Sequence, residues 1–466
     1  MTPENLAKQH LSNVQCLIES TFDDRITELV SLAKIPGIAW EAFDSAKLEE
    51  SAEAVSKLFS DTNVFDTVKI LRAQVHGKNG APAVIARRAA KNGRPQIMLY
   101  AHHDVQPPGD EQEWLTEPFQ PTERDGRLYG RGAADDKAGI VTHLAAVRTL
   151  SELAGNDFDL GLTIFIEGEE EAGSPTFRAF LDKYKAELEA DVIVVADSGN
   201  WTVDIPALTT SLRGLVSQVI EVATLDHALH SGMYGGAVPD ATMALIRLLA
   251  SLHDEQGNVA VAGLQQSESQ ELPYSKEQLR KDAGLLPNTT EIGTDSILDR
   301  IWTKPAITVI GLDAQSVALS SNTLLPRAKA KISLRIAPGE EPERALELLR
   351  KHLLEHVPFG AEISFQDVEL GRPFSADSSG WAAEAATKAL SAAWGTESVN
   401  IGIGGSIPFI AELTEVFPKA QILVTGVEDS DSRAHSPNES VHLEMLKKAM
   451  VAETLVLLQG NARQDH

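Results

Sequence analysis

Several apolar runs along the chain stop abruptly on acids or histidines. Ile97-Met98-Leu99-Tyr100-Ala101 leads into His102-His103-Asp104, and Leu160–Ile166 leads into Glu167-Gly168-Glu169-Glu170-Glu171. Val192–Ala196 ends at Asp197, and Ile422–Gly426 precedes a polar loop that carries His435. Runs of this length predict strands covered on both faces, as in parallel sheets, and such sheets bind ligands beyond the carboxyl ends of their strands. Ile140, Val141, Leu144, Val147 and Leu150 form an apolar stripe that predicts a helix over about 138–154.

The middle of the chain has a different pattern. From about 212 to 371 it reads strand, helix, long polar insertion, strand, strand, helix, strand, which predicts an antiparallel sheet with helices on one face. Ala328–Ile336 alternates Ala330, Ile332, Leu334 and Ile336 with Lys329, Lys331, Ser333 and Arg335, so one face is dry and the other wet. Pro342 opens a helix with Leu346, Leu349 and Leu353 on one stripe. The stretch 254–287, rich in Gln, Glu and Ser, is expected to be a loop insertion. The expected fold is α/β: a mostly parallel sheet with helices on both faces, from residues 1–211 and 372–466, interrupted by an α+β, ferredoxin-like domain at 212–371.

A His-x-Asp pair at a strand end serves either as a hydrogen-bonded turn or as a metal ligand with an orienting carboxylate. Recurrence of acids at further strand ends favours metal. Imidazole suits zinc, manganese or cobalt, and carboxylates neutralise their charge. Four acids brought together without cations would repel one another and take up protons. A pair of ions about 3.5–4 Å apart, bridged by one carboxylate and a water, removes that conflict.

The quoted motifs occur together with Gly130-Arg131-Gly132-Ala133-Ala134-Asp135-Asp136-Lys137, His230-Ser231-Gly232-Met233-Tyr234-Gly235-Gly236, Gly404-Gly405-Ser406-Ile407-Pro408 and Ala434-His435-Ser436. In this order the chain resembles the co-catalytic di-zinc metallopeptidases that include carnosinase, bacterial dipeptidases, aminoacylase, succinyl-diaminopimelate desuccinylase and glutamate carboxypeptidase, and most of all the carnosinase-like branch. The resemblance implies that Asp135 bridges two divalent ions per subunit, zinc foremost with manganese or cobalt as alternatives. It implies that His102 and Asp197 complete one ion site, that Glu171 and His435 complete the other, that Asp104 orients His102, and that Glu170 is the general base. It further implies a cis peptide bond between Asp135 and Asp136. Aspartate rather than glutamate at 197 points within this family to dipeptidases, the alternative being an N-acyl-amino-acid deacylase with the same metals. A non-catalytic binding protein is the remote alternative.

By the same resemblance, 212–371 is a lid and dimerisation domain. His230 reaches the partner subunit's active site in a homodimer and steadies the developing oxyanion, and Arg327 and Ser406 hold the substrate carboxylate. Ala101 and His103 depart from the branch's usual Gly and apolar residue, and strand alternation turns His103 away from His102. Gly130-Arg131-Gly132 begins a dinucleotide-like fingerprint, but Asp135 stands where its third glycine would be.

Composition narrows the partners. With 466 residues, the chain exceeds one usual core. The formal charge of −26 disfavours nucleic acid and anionic membrane. Cys16 is the single cysteine, so intrachain disulfides and cysteine zinc clusters are excluded. The polar start of the chain and the lack of a long apolar run lead to the expectation of a cytoplasmic protein, and the resemblance implies that its partners are small peptide substrates.

Overall fold

In the computed structural model, which describes residues 3–377, 379–405 and 408–463, the run ending at His102 is a strand, Gln96–His102, buried along its whole length. Gly161–Glu167 and Val192–Val195 flank it, both parallel to it, and Gln421–Val424 extends the parallel run beyond Val192–Val195. Antiparallel strands extend the sheet: Ala83–Arg88 and then Thr67–Leu71 on one side, and Ala207–Leu212, paired through Thr209 with Val424, on the other. The sheet is thus mixed with a parallel centre. The outer strand Thr67–Leu71 is only half-buried at best, and its polar positions give no continuous apolar signal.

Successive residues of a strand face opposite sides of its sheet. Leu162, Ile164 and Ile166 share a core with Ile140, Val141 and Leu144 of helix Lys137–Ala154 and with Met450 and Leu457 of helix Leu443–Ala462. On the opposite face, Phe165 stacks on Phe180 at 5.2 Å and meets Tyr100 edge-on at 5.4 Å. Helices therefore cover both faces. Each such buried side chain contributes about 1.5–3 kcal/mol, which pins the register in which the parallel strands end together.

The described residues form two compact units. One consists of the chain up to Thr210 with Ala376–Ile401 and the chain from Glu412; the other is Ser211–Ser375 with Gly402–Ala411. Gly402–Ala411, placed with the catalytic portion by the sequence boundaries, goes with the second unit instead. The Arg213 guanidinium donates to Gly404 O at 3.0 Å, and the Arg213 N–H donates to Ile403 O at 3.2 Å.

Within the second unit, four antiparallel strands lie in the order Ala306–Asp313, Arg327–Ile336, Gly214–Ala223, Glu362–Gly371. Ala328, Ala330, Ile332, Leu334 and Ile336 turn inward, and their core takes in Leu245 and Leu248 of helix Ala241–Ala250 and Leu349 and Leu353 of helix Pro342–His356. Pro342 opens its helix as expected, while Leu346 is only half-buried. The polar insertion is mostly irregular, with one short helix, Lys276–Asp282. Among the described residues no helix is long and apolar enough to cross a membrane.

Candidate metal centre

Parallel pairing brings the strand ends to one edge. His102 lies opposite Glu167, and Tyr100 opposite Val195, so Asp104, Glu169–Glu171 and Asp197 all leave the sheet there. Asp135 enters from the loop that precedes helix Lys137–Ala154, and its peptide bond to Asp136 is cis. His435 enters from the loop after Gln421–Val424, at a φ of 63°.

These loops bring together two groups of ligand atoms, each within 4.8 Å: His102, Glu170 and Asp197 in one, Asp135, Glu171 and His435 in the other. Asp135 also reaches the first group. Its Oδ1 is 3.0 Å from His102 Nε2, and its Oδ2 is 3.0 Å from His435 Nε2. Glu171 Oε2 lies 3.2 Å from the same His435 nitrogen, and Asp197 Oδ1 lies 4.0 Å from His102 Nε2. One carboxylate thus presents an oxygen to each imidazole.

The surrounding hydrogen bonds orient these groups. Asp104 accepts the backbone N–H groups of Glu170 at 3.2 Å and Glu171 at 3.1 Å, which ties the His102 strand end to the acidic loop. His102 Nδ1 is nearer the Asp104 carbonyl, at 3.1 Å, than its carboxylate, at 3.5 Å, so its main partner is the carbonyl. Gln106 donates to both oxygens of Glu171, from its backbone N–H at 3.1 Å and its amide at 2.7 Å. The third glutamate of the run, Glu169, is engaged elsewhere: it accepts Ala81 N–H, Thr176 N–H and the Thr176 hydroxyl. His103 is buried on the far side, with its Nε2 donating to Pro82 O at 2.7 Å, and burial pushes its pKa down to about 4.

The donor set can be tested against a cation. With Nδ1–H of His102 given to a carbonyl, the Nε2 lone pair faces a carboxylate oxygen at 3.0 Å. Only a second proton or a metal ion relieves that contact. Burial opposes the charged form of His102, but Asp104 and Asp135 outweigh it and hold its pKa well above the ordinary value. Hydrogen bonds to Asp135 and Glu171 push His435 up to about 11. Burial, opposed by His102 and reinforced by Asp135, pushes the Asp197 carboxyl up to about 7, while burial and Asp197 push Glu170 well above the carboxylate range. No lysine or arginine pairs with Asp135, Glu170, Glu171 or Asp197 among the described residues. Acids and imidazoles that share protons in this way are the donors that divalent cations displace protons from, so the residues fit a pair of ions.

A match to the family model "Peptidase family M20/M25/M40" extends over residues 98–459 and contains every residue of this centre. The chain belongs to peptidase family M20/M25/M40. As a member of this metallopeptidase family it is similar to the cysteinylglycine-S-conjugate dipeptidase of Corynebacterium striatum, with 37% identity over 81% of this chain and 84% of that one. It is also similar to the beta-Ala-His dipeptidase of Rattus norvegicus, with 28% identity over 78% and 76%. A solved structure of the dipeptidase Dug1p from Saccharomyces cerevisiae shares the M20 fold, with a TM-score of 0.76 at 22% identity over 98% of this chain and 99% of that one.

The remaining expected site residues are not in these two groups. His230 and Arg327 belong to the second unit. His230 is exposed, and its Nδ1 accepts the Gly232 N–H at 3.0 Å. Arg327 is also exposed and pairs with Glu221 at 2.8 Å. Ser406 lies outside the described residues. Sequence reasoning overlooked Gln106 as a partner of Glu171. It overlooked Glu439, whose side chain is taken up wholly by the Asp135 loop, and Glu428, which burial and Asp135 push well above the carboxylate range. Glu428 stands in the acidic loop just after Gln421–Val424, where the sequence pattern offered a signal, whereas Gln106 and Glu439 stand in no acidic run and only the chain's return to the centre reveals them.

Proposed function

We propose that this M20/M25/M40 peptidase is a metal-dependent dipeptidase that hydrolyses the amide bond of small peptides with a free C-terminal carboxylate. The observation that carries the proposal is the bridging position of Asp135 between His102 and His435, in a chain whose relatives are named dipeptidases. His102 and Asp197 would hold one ion, Glu171 and His435 the other, and Asp135 both. Zinc is the proposed ion, since two imidazoles and carboxylates form its usual donor set. Bound there, the ions would polarise the substrate carbonyl and lower the pKa of water.

Glu170 is the proposed base. Its carboxyl lies beside His102 and Asp197, and its backbone is fixed by Asp104. From there one of its oxygens takes a proton from the attacking water and returns it to the leaving amine nitrogen. Arg327 and Ser406 are the proposed carboxylate holders. Its ion pair with Glu221 orients the Arg327 guanidinium, whose fork has further N–H groups to offer. His230 is proposed to serve the partner's site in a homodimer. Because its Nδ1 accepts a hydrogen bond, the neutral ring carries its proton on Nε2 and can donate to an oxyanion. Support for association comes from the exposed Val309, Ile310 and Leu312 on the outer strand Ala306–Asp313. We assign the enzyme to the cytoplasm, consistent with its single cysteine.

The test is a panel of dipeptides and N-acyl amino acids given to metal-stripped protein, then repeated with zinc, manganese or cobalt and with Glu170→Gln. The expected result is metal-restored dipeptide cleavage, reduced about 10²–10⁴-fold in the variant. Release from acyl amino acids alone would instead establish a deacylase.

A further inference from the structure

Glu439 is fully buried and sits four residues beyond His435 in the same loop. Its Oε2 accepts Arg131 at 2.5 Å and the Gly132 N–H at 3.1 Å. Its Oε1 accepts the N–H groups of Ala134 at 3.0 Å and Asp135 at 3.1 Å. The backbone closes the same joint, since Gly130 N–H donates to Glu439 O at 3.0 Å. Three convergent N–H groups form a nest that favours an anion. Here the anion is a side chain of the loop that also carries His435. Arg131 is itself held, 1% exposed, with its guanidinium 5.4 Å from the Trp114 ring and one N–H on Pro107 O.

From this geometry we infer that Glu439 is a positioning residue that sets the Asp135 carboxylate between the two ligand groups by locking the Asp135 loop to the His435 loop. The Asp135 N–H hangs on Glu439, and the Asp135 Oδ2 meets His435 Nε2 at 3.0 Å, so one short ring of contacts fixes both ends of that distance. Asp135 offers one oxygen to each group, so an error in its placement is felt by both ions. The inference rests on the two-ion reading above.

The experiment measures divalent-ion affinity by competition with a chromophoric chelator, using zinc as the probe, on the wild type, Glu439→Gln and Glu439→Asp. Each protein is also followed by circular dichroism and thermal melting in its metal-free form. Glutamine turns one oxygen into a donor that faces two donors. Aspartate keeps the charge but is one methylene too short to satisfy both pairs. The expected result is a folded variant whose affinity for both ions falls together by about 10–100-fold, the usual effect of losing an orienting partner. A folded variant with both affinities within twofold of wild type would overturn the inference. So would failure of both variants to fold, since Glu439 would then hold the fold rather than place Asp135. A wild type that binds ions but cleaves no dipeptide sinks the substrate assignment alone, and a wild type that binds none sinks the two-ion reading.

Discussion

His143 and Glu453 form a buried pair whose removal tests how the core supports the metal edge. His143 lies on helix Lys137–Ala154, fully buried, with its Nε2 3.0 Å from Tyr100 O and its Nδ1 2.8 Å from Glu453 Oε1. Both ring nitrogens face acceptors, so the geometry calls for imidazolium. Burial opposes that charge, but Glu453 outweighs it and raises the pKa above the ordinary value. With the folded value above the unfolded one, near 6.5, the pair's stabilisation is fully present below about pH 6.5 and is lost as pH rises through the raised folded value. Glu453→Leu leaves the ring without its counter-charge, which costs about 3–5 kcal/mol for a buried pair. At a urea slope of about 3 kcal/mol per M, the unfolding midpoint then falls by roughly 1–2 M. Glu453→Gln can donate its amide N–H to a neutral Nδ1, so it costs only about 0.5–1.5 kcal/mol and flattens the pH dependence. The assay is urea unfolding of metal-free protein at pH 6, 7.5 and 9. A Glu453→Leu penalty below about 1 kcal/mol, or one that stays constant over that range, would refute the reasoning.

The adjacent histidines should separate cleanly. His102→Ala loses zinc, whereas His103→Ala keeps full zinc stoichiometry and loses about 1–3 kcal/mol of stability by stranding Pro82 O, as equilibrium dialysis and denaturant titration would report. Removing the ions with a chelator should lower the melting temperature as well as abolish activity. Restoring zinc to about 100 times its Kd should return about 2.7 kcal/mol, and a melting curve indifferent to zinc would contradict this. Gly132→Ala should be poorly tolerated: Gly132 has a φ of +76°, and an added Cβ would lie 2.5 Å from Val105 Cγ1. The left-handed backbone costs about 1–3 kcal/mol, with a similar amount from overpacking, and zinc affinity should fall with it.

The parallel centre of the sheet and the candidate ligands at its strand ends could be read from the sequence, because a strand buried on both faces must be continuously apolar and its first polar residues must lie at the sheet's edge. His102, Asp104, the Glu169–Glu171 run and Asp197 were visible for this reason. Motif resemblance gave Asp135 and His435 their expected roles, although the apolar run 422–426 already marked the loop that carries His435. The resemblance implied a bridging Asp135, and the tertiary structure decided the finer division of labour. Asp135 splits its oxygens between two imidazoles, and Glu169 turns from the neighbouring acids to hold Ala81 and Thr176. Likewise Gln106 and Glu439, distant in sequence from the residues they orient, act only because the chain brings their polar atoms within hydrogen-bond reach of Glu171 and Asp135. Hydrophobic pattern is a local property of the chain and survives in the sequence. Hydrogen-bond partnership depends on tenths of an ångström between distant segments, and only the packed core sets those distances.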